Sequence, residues 1–167
     1  VMAEANNQRQ LWAETDDLGI PVVTSTDPRH TGTVESGDPT TSREGGTVSS
    51  WPQDMGLSAS FSTEMQELYG GTVSAEYRAL GIHMMLGPQI DLVTEPRWGR
   101  NYGSRTEDFV LNADLAAAFI EAMQTTDSRD SNDDWGIDEG WGLGSVATMA
   151  KHWPSGGTGE FGYEPHN

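Results

Sequence analysis

The sequence predicts an α/β protein assembled from βα units with parallel strands, and three observations carry that reading. Short apolar strands alternate with longer helix-forming stretches, about four units in all across the 167 residues, which is the pattern of parallel sheets. Polar clusters follow the ends of the strands, at Asp27, at Asp91 to Arg100, and at Lys151-His152. Active sites of (β/α)8 barrels gather at the C-terminal ends of the strands, and doubly wound sheets also place ligands there. A chain of this length can bury a core and is read as one domain, residues 1–167. No internal repeat at a fixed period is visible.

Residues 2–16 form helix, with Met2, Ala5, Leu11 and Trp12 as its apolar stripe. Gly19 ends that helix, and Ile20-Pro21-Val22-Val23 begins a strand in which an early proline is tolerated. Thr24 to His30 is its polar tip, and residues 31–50 are a loop almost free of apolar side chains. Leu57 to Phe61 reads as a brief second strand. Ser62 caps a helix across 63–80, with Met65, Leu68, Tyr69, Val73, Tyr77 and Leu80 near helical spacing. Gly70-Gly71 weakens it, and Gly81 is its C-cap. Ile82 to Leu86 is the next strand. Thr106 then caps a helix burying Leu111, Leu115, Ala118, Phe119, Ala122 and Met123. An acidic loop over 125–142 precedes a last strand, Val146 to Ala150.

The charge balance narrows the classes of partner. Asp and Glu number 26 against 9 Lys and Arg, which argues against nucleic acid. Eight of the cations are Arg, and Lys151 is the only lysine. Such a surface fits either a protein of a high-salt environment or a secreted or periplasmic acidic enzyme, and self-repulsion should loosen the fold at low ionic strength. With no cysteine, disulfides and thiolate metal sites are excluded. No apolar run reaches the roughly 18 residues that span a bilayer, and no membrane partner is expected. No signal peptide is visible, and the chain starts on Val1 inside a helix, so further chain upstream is expected.

The stretch Gly87 to Asp108, GPQIDLVTEPRWGRNYGSRTED, is the densest in chemistry. Carboxylates, guanidinium groups and an indole in one loop suit a sugar, whose hydroxyls take charged partners and whose C–H face takes an aromatic ring. Direct contact is not the only reading. Asp91 and Glu95 also fit as loop caps or ion-pair partners of Arg97 and Arg100, and Trp98 as packing beneath the loop.

In that order along the chain, IPVVTSTDPRH, WPQDMGLSASF, EYRALGI, LGPQIDLVTEPRWGRNYGSRTED, KHWPSGG and TGEFGYEPH resemble segments of glycoside hydrolase family 3, which includes many β-glucosidases. The resemblance covers nearly the whole chain. It implies part of a TIM-type (β/α)8 barrel, incomplete as given, and a retaining hydrolase of terminal β-linked glucose or a related sugar. Carried over by motif, the substrate-binding residues would be Asp27, Arg100, Lys151 and His152. Asp27 would accept hydrogen bonds from adjacent hydroxyls, Arg100 and Lys151 would donate charge-assisted ones, and His152 would donate further round the ring. Arg29, His30, Asp91, Glu95, Arg97 and Trp98 would stand behind them. No cofactor and no metal is implied, and His30, His83, His152 and His166 lack ligand spacing.

The chain also departs from the family pattern. A complete barrel takes about 250 residues. The family's nucleophilic aspartate lies well beyond the Lys-His segment, and the chain ends fifteen residues after His152. Asp133-Asp134-Trp135 imitates the nucleophile motif but precedes Lys151. Thr31 stands where the family has a glycine after His30. Lys151-His152-Trp153-Pro154-Ser155-Gly156-Gly157 lacks the catalytic histidine of one branch, which points to an acid/base glutamate from a later domain. The expected partners are therefore a β-glucoside or oligosaccharide, the remainder of the barrel and a C-terminal domain, with both bond-breaking carboxyls outside 1–167. Other readings are a non-catalytic carbohydrate-binding module, and a calcium-binding one based on Asp130, Asn132 and Asp134; the latter fails the EF-hand template at Trp135 and Trp141.

Overall fold

The computed structural model describes residues 2–28, 30–31, 48–126, 140–153 and 156–163. In chain order the elements are α1 (Met2–Glu14), β1 (Ser25–Thr26), α2 (Asp54–Ser58), α3 (Thr63–Leu80), β2 (Met84–Met85), α4 (Phe109–Gln124), β3 (Thr125–Thr126), β4 (Gly140–Trp141) and β5 (Ala147–Thr148). β1, β2 and β5 form a parallel sheet in that order, with Ser25 opposite Met84 and Met84 opposite Ala147. Sheet order follows chain order, as sequential βα units require, and the architecture is that of part of an α/β barrel. β3 and β4 form a separate antiparallel pair, Thr125 opposite Trp141.

α3 stands where its caps put it, and the apolar periods of α3 and α4 face the core. Ser62 accepts the Met65 amide, and Gly81 closes α3 at φ 75°, a left-handed conformation that glycine adopts without Cβ strain. α3 buries Tyr69, Val73, Tyr77 and Leu80, and α4 buries Phe119 and Met123, in one core with Ile82, Met85 and Val146. Each such side chain contributes roughly 1.5–3 kcal/mol on full burial. Gly70 has a packing reason. A Cβ there would lie 2.7 Å from the Phe119 carbonyl oxygen and 3.0 Å from Ala122 Cβ, so its lack of a side chain lets α3 and α4 approach.

Several elements differ from the sequence reading. Leu57 to Phe61 is not a strand: α2 occupies Asp54–Ser58 and a turn follows, because Leu57 is buried as the single apolar anchor of a short helix. Three parallel strands are thus present among the described residues, not four. Strand pairing begins at Ser25, beyond Ile20–Val23, which stay exposed. On α1 the stripe holds only at Met2, which packs against the core: Ala5, Leu11 and Trp12 are exposed and Asn6 is buried. Asn6 donates to the Leu80 carbonyl oxygen at 2.7 Å, satisfying an end of α3. The cap of α4 is Asp108, whose Oδ1 accepts from the Val110 and Leu111 amides at 2.8 and 2.9 Å. Thr106 instead accepts from the Asp108 amide.

The sheet is extended beyond β2 and β5 by irregular pairing. Met149 donates its amide to the Met85 and Gly87 carbonyls, Lys151 to Pro88 at 2.9 Å, and Ile90 to Lys151 at 2.6 Å. The Gly87–Pro88 and Lys151–His152 peptide bonds are cis. This ladder brings Gln89 to Asp91 alongside Lys151 and His152.

Candidate functional site

The polar residues that follow the three parallel strands meet at one end of the sheet. Lys151 Nζ, past β5, donates to Asp27 Oδ1, past β1, at 2.5 Å. The lysine side chain is about a quarter exposed and the aspartate about half, so the pair sits at a solvent-facing mouth. Behind it, the Tyr77 hydroxyl donates to the Asp27 carbonyl oxygen at 3.2 Å, tying the tip of β1 to α3.

His152 is held by Asp91, which is fully buried. Asp91 Oδ2 lies 2.9 Å from His152 Nδ1, and Oδ1 accepts from the His152 amide at 3.3 Å and from the Gly156 amide. Of the two structural readings, cap or ion-pair partner, Asp91 takes the first, accepting two backbone amides, and adds the histidine contact. Glu95 does pair with an arginine: Arg97 donates to it through Nε at 2.8 Å and through a terminal nitrogen at 2.7 Å. Those bonds and the Arg97 amide pull the Glu95 carboxyl down to about 2. Arg97 also lies 5.7 Å from the Phe161 ring centre, so the tail over 156–163 leans on the loop. Trp98 is buried, and Arg100 is half-buried as the residue before the 3-10 turn Asn101–Gly103.

His30 is fully buried. Its Nε2 lies 2.7 Å from Glu76 Oε2, and its ring is 5.1 Å from that of Tyr77. Burial pushes His30 below its ordinary pKa, outweighing the hydrogen bond and charge of Glu76, which raise it. Arg29 lies outside the described residues, as do Asp133-Asp134-Trp135 and the proposed calcium ligands.

Two charged partners escaped sequence reasoning. Glu76 reaches both His30 and the Ser49 amide, at 2.8 Å for the latter. It falls three residues after Val73 and seven after Tyr69, so a carboxylate on the buried stripe of α3 was the available signal. Arg105 is also buried. It donates to the Gln89 carbonyl at 2.6 Å, lies 3.5 Å from Asp54 Oδ1, and stacks 5.6 Å from the Phe119 ring centre. Nothing local in the sequence pairs Asp54 with Arg105. Burial pushes the Asp54 carboxyl up, against the charge of Arg105, which lowers it.

Asp27, Asp91, Lys151 and His152, assembled at the C-terminal end of a parallel sheet, define a site for a polar ligand on an α/β barrel scaffold. The description "Glycosyl hydrolase family 3 N terminal domain" matches residues 2–166, and the chain belongs to that family. It is 37% identical over 166 residues to the periplasmic β-glucosidase/β-xylosidase of Dickeya chrysanthemi, covering 99% of this chain and 23% of that protein. It is likewise 37% identical over 164 residues to β-glucosidase C of Emericella nidulans, covering 98% of this chain and 24% of that one. A Listeria innocua β-glucosidase in complex with laminaribiose superposes with a TM-score of 0.63 at 28% identity, over 86% of this chain and 17% of the other. The chain therefore spans about a quarter of the length of these two sequence relatives.

Among the described residues no group of three His, Asp or Glu side chains is arranged to hold a metal ion. No described helix is long and apolar enough to cross a membrane.

Proposed function

We propose that this chain supplies part of the sugar-binding wall of a retaining glycoside hydrolase acting on terminal β-linked glucose or a related sugar. The observation that carries the reading is the Asp27–Lys151 pair beside the Asp91-held His152, joining the ends of β1 and β5 across β2. Family membership and the β-glucosidase and β-xylosidase names of its relatives support the substrate class. A carboxylate only accepts and an ammonium only donates, so together they match a vicinal diol, whose hydroxyls do both. Lys151 occupies one Asp27 oxygen, which leaves lone pairs of the carboxylate for a sugar hydroxyl. The family resemblance adds Arg100 as a second cation, and His152 contributes a ring edge. Retaining hydrolysis needs two carboxyls about 5–5.5 Å apart across the glycosidic bond. In this reading both come from chain outside these 167 residues, as does the rest of the barrel.

The test is glucose binding by saturation-transfer NMR and calorimetry, together with turnover of a chromogenic β-glucoside. The 167-residue chain is expected to bind glucose weakly and to hydrolyse nothing. Asp27→Asn should lower the affinity about tenfold, the usual scale for losing a charged hydrogen-bond partner. Glucose binding indifferent to Asp27→Asn, or turnover abolished by Asp134→Asn, would overturn the reading.

A further inference from the structure

We propose that Asp91 is the positioning residue of this site: it sets the tautomer and the orientation of the His152 ring, and with them the edge that His152 turns to a sugar. The Asp91 carboxylate already accepts two backbone amides, and with the same acceptor role at its Oδ2 the contact to His152 Nδ1, 2.9 Å, places the ring proton on Nδ1. In the neutral ring Nε2 then carries a lone pair. Towards a hydroxyl it is an acceptor, which reverses the donor role that the family resemblance implies for His152.

The carboxylate is itself held from several sides. Its Oδ1 takes the amides of both His152 and Gly156. A Cβ on Gly156 would lie 2.6 Å from Asp91 Oδ1 and 2.7 Å from His152 Nδ1, and only a glycine fits between the two groups. The backbone leading to Asp91 is anchored to buried elements: Arg105 donates to Gln89 O at 2.6 Å, and Asn112 of α4 donates to Ile90 O at 2.8 Å. Ile90 in turn donates to Lys151 O. Asp91 is thus the end of a chain of fixed groups running from the helix layer to the mouth of the site. A capping aspartate would satisfy the two amides alone. The added contact to the imidazole nitrogen is what assigns Asp91 a role in ligand orientation.

The experiment is 15N NMR of imidazole-labelled protein at about pH 8, where an ordinary histidine is neutral, with His152 assigned through His152→Gln. The expected spectrum has the His152 proton on Nδ1, and Asp91→Asn, whose amide can donate as well as accept, should shift the ring to a tautomer mixture. A wild-type ring protonated on Nε2 overturns the proposal without any variant. So does Asp91→Asn that keeps its helical circular dichroism, its ring shifts and its glucose affinity. Should Asp91→Asn lose its helical signal, Gly156→Ala perturbs the same contact with the carboxylate retained, and unchanged ring shifts there are equally fatal. The affinity arm rests on the sugar-binding reading, with about a tenfold weakening expected in Asp91→Asn. A wild-type protein that ignores glucose while showing the Nδ1 proton would sink that reading and leave the positioning role standing.

Discussion

Two acid–base pairs flank one loop, and they differ in almost every respect that matters. Glu95 and Arg97 are two residues apart, meet through two short hydrogen bonds and show the large pKa shift, yet Arg97 is 62% exposed. Asp91 and His152 are 61 residues apart, the carboxylate is fully buried, and their contact joins the end of one strand to the end of the next. An exposed local pair stiffens its own turn and is screened by solvent. A buried pair between distant segments closes the fold, and breaking it leaves an uncompensated polar group. Short distances and shifted pKa values are thus poor guides to importance; burial and chain separation are better ones. Asp54–Arg105 belongs with the buried class, and His30–Glu76 joins distant segments with the histidine buried and the carboxylate about a third exposed.

The largest effect that would sharpen this contrast is expected at Arg105. Arg105→Leu leaves the Asp54 carboxyl buried without its cation and frees the Gln89 carbonyl that Arg105 holds. A loss of about 3–5 kcal/mol in urea unfolding is expected, and a loss near zero would break the comparison.

A smaller effect is expected from His30, read through pH. Burial holds its folded pKa below 6.5, so in the window just below 6.5 the unfolded chain binds the proton and the folded one resists it. Its stabilising contribution is therefore complete above 6.5 and is lost as pH falls through the folded value. His83, lowered by burial and by Arg78, acts in the same direction. His30→Gln should flatten the fall of the urea midpoint between about pH 7 and about pH 5, while an unchanged slope would remove His30 from the account.

The smallest effect belongs to the local pair. Glu95→Gln removes the group with the large shift, and the melting temperature at physiological salt should not move measurably. A marked drop would mean that the loop arginine carries structure beyond its own turn.

What could be read from the sequence divides along the same line. The α3 and α4 helices were legible because caps and apolar periods are local signals. Ser62 and Gly81 bound α3, and Tyr69, Val73, Tyr77 and Leu80 mark its inner face. The α1 stripe was misread because Asn6 is buried to satisfy a carbonyl of α3, a reason that lies 74 residues away. A five-residue segment such as Asp54–Ser58 has too little period to tell helix from strand. Asp27, Lys151 and His152 were singled out by motif, and their convergence depends on a sheet register that no motif states.

The sequence by itself determined the caps of α3, the apolar periods of α3 and α4, the βα alternation, the acidic surface and membership in a family, since each rests on neighbours in the chain or on composition. Only the tertiary structure decided who partners whom. It took Asp91 away from the loop arginines and gave it to His152, paired Asp54 with Arg105, and brought Lys151 to Asp27 across β2. The reason is physical: a buried charge takes whichever partner the packed strands and helices bring within hydrogen-bonding reach, and that choice is made by the register of the sheet, not by distance along the chain.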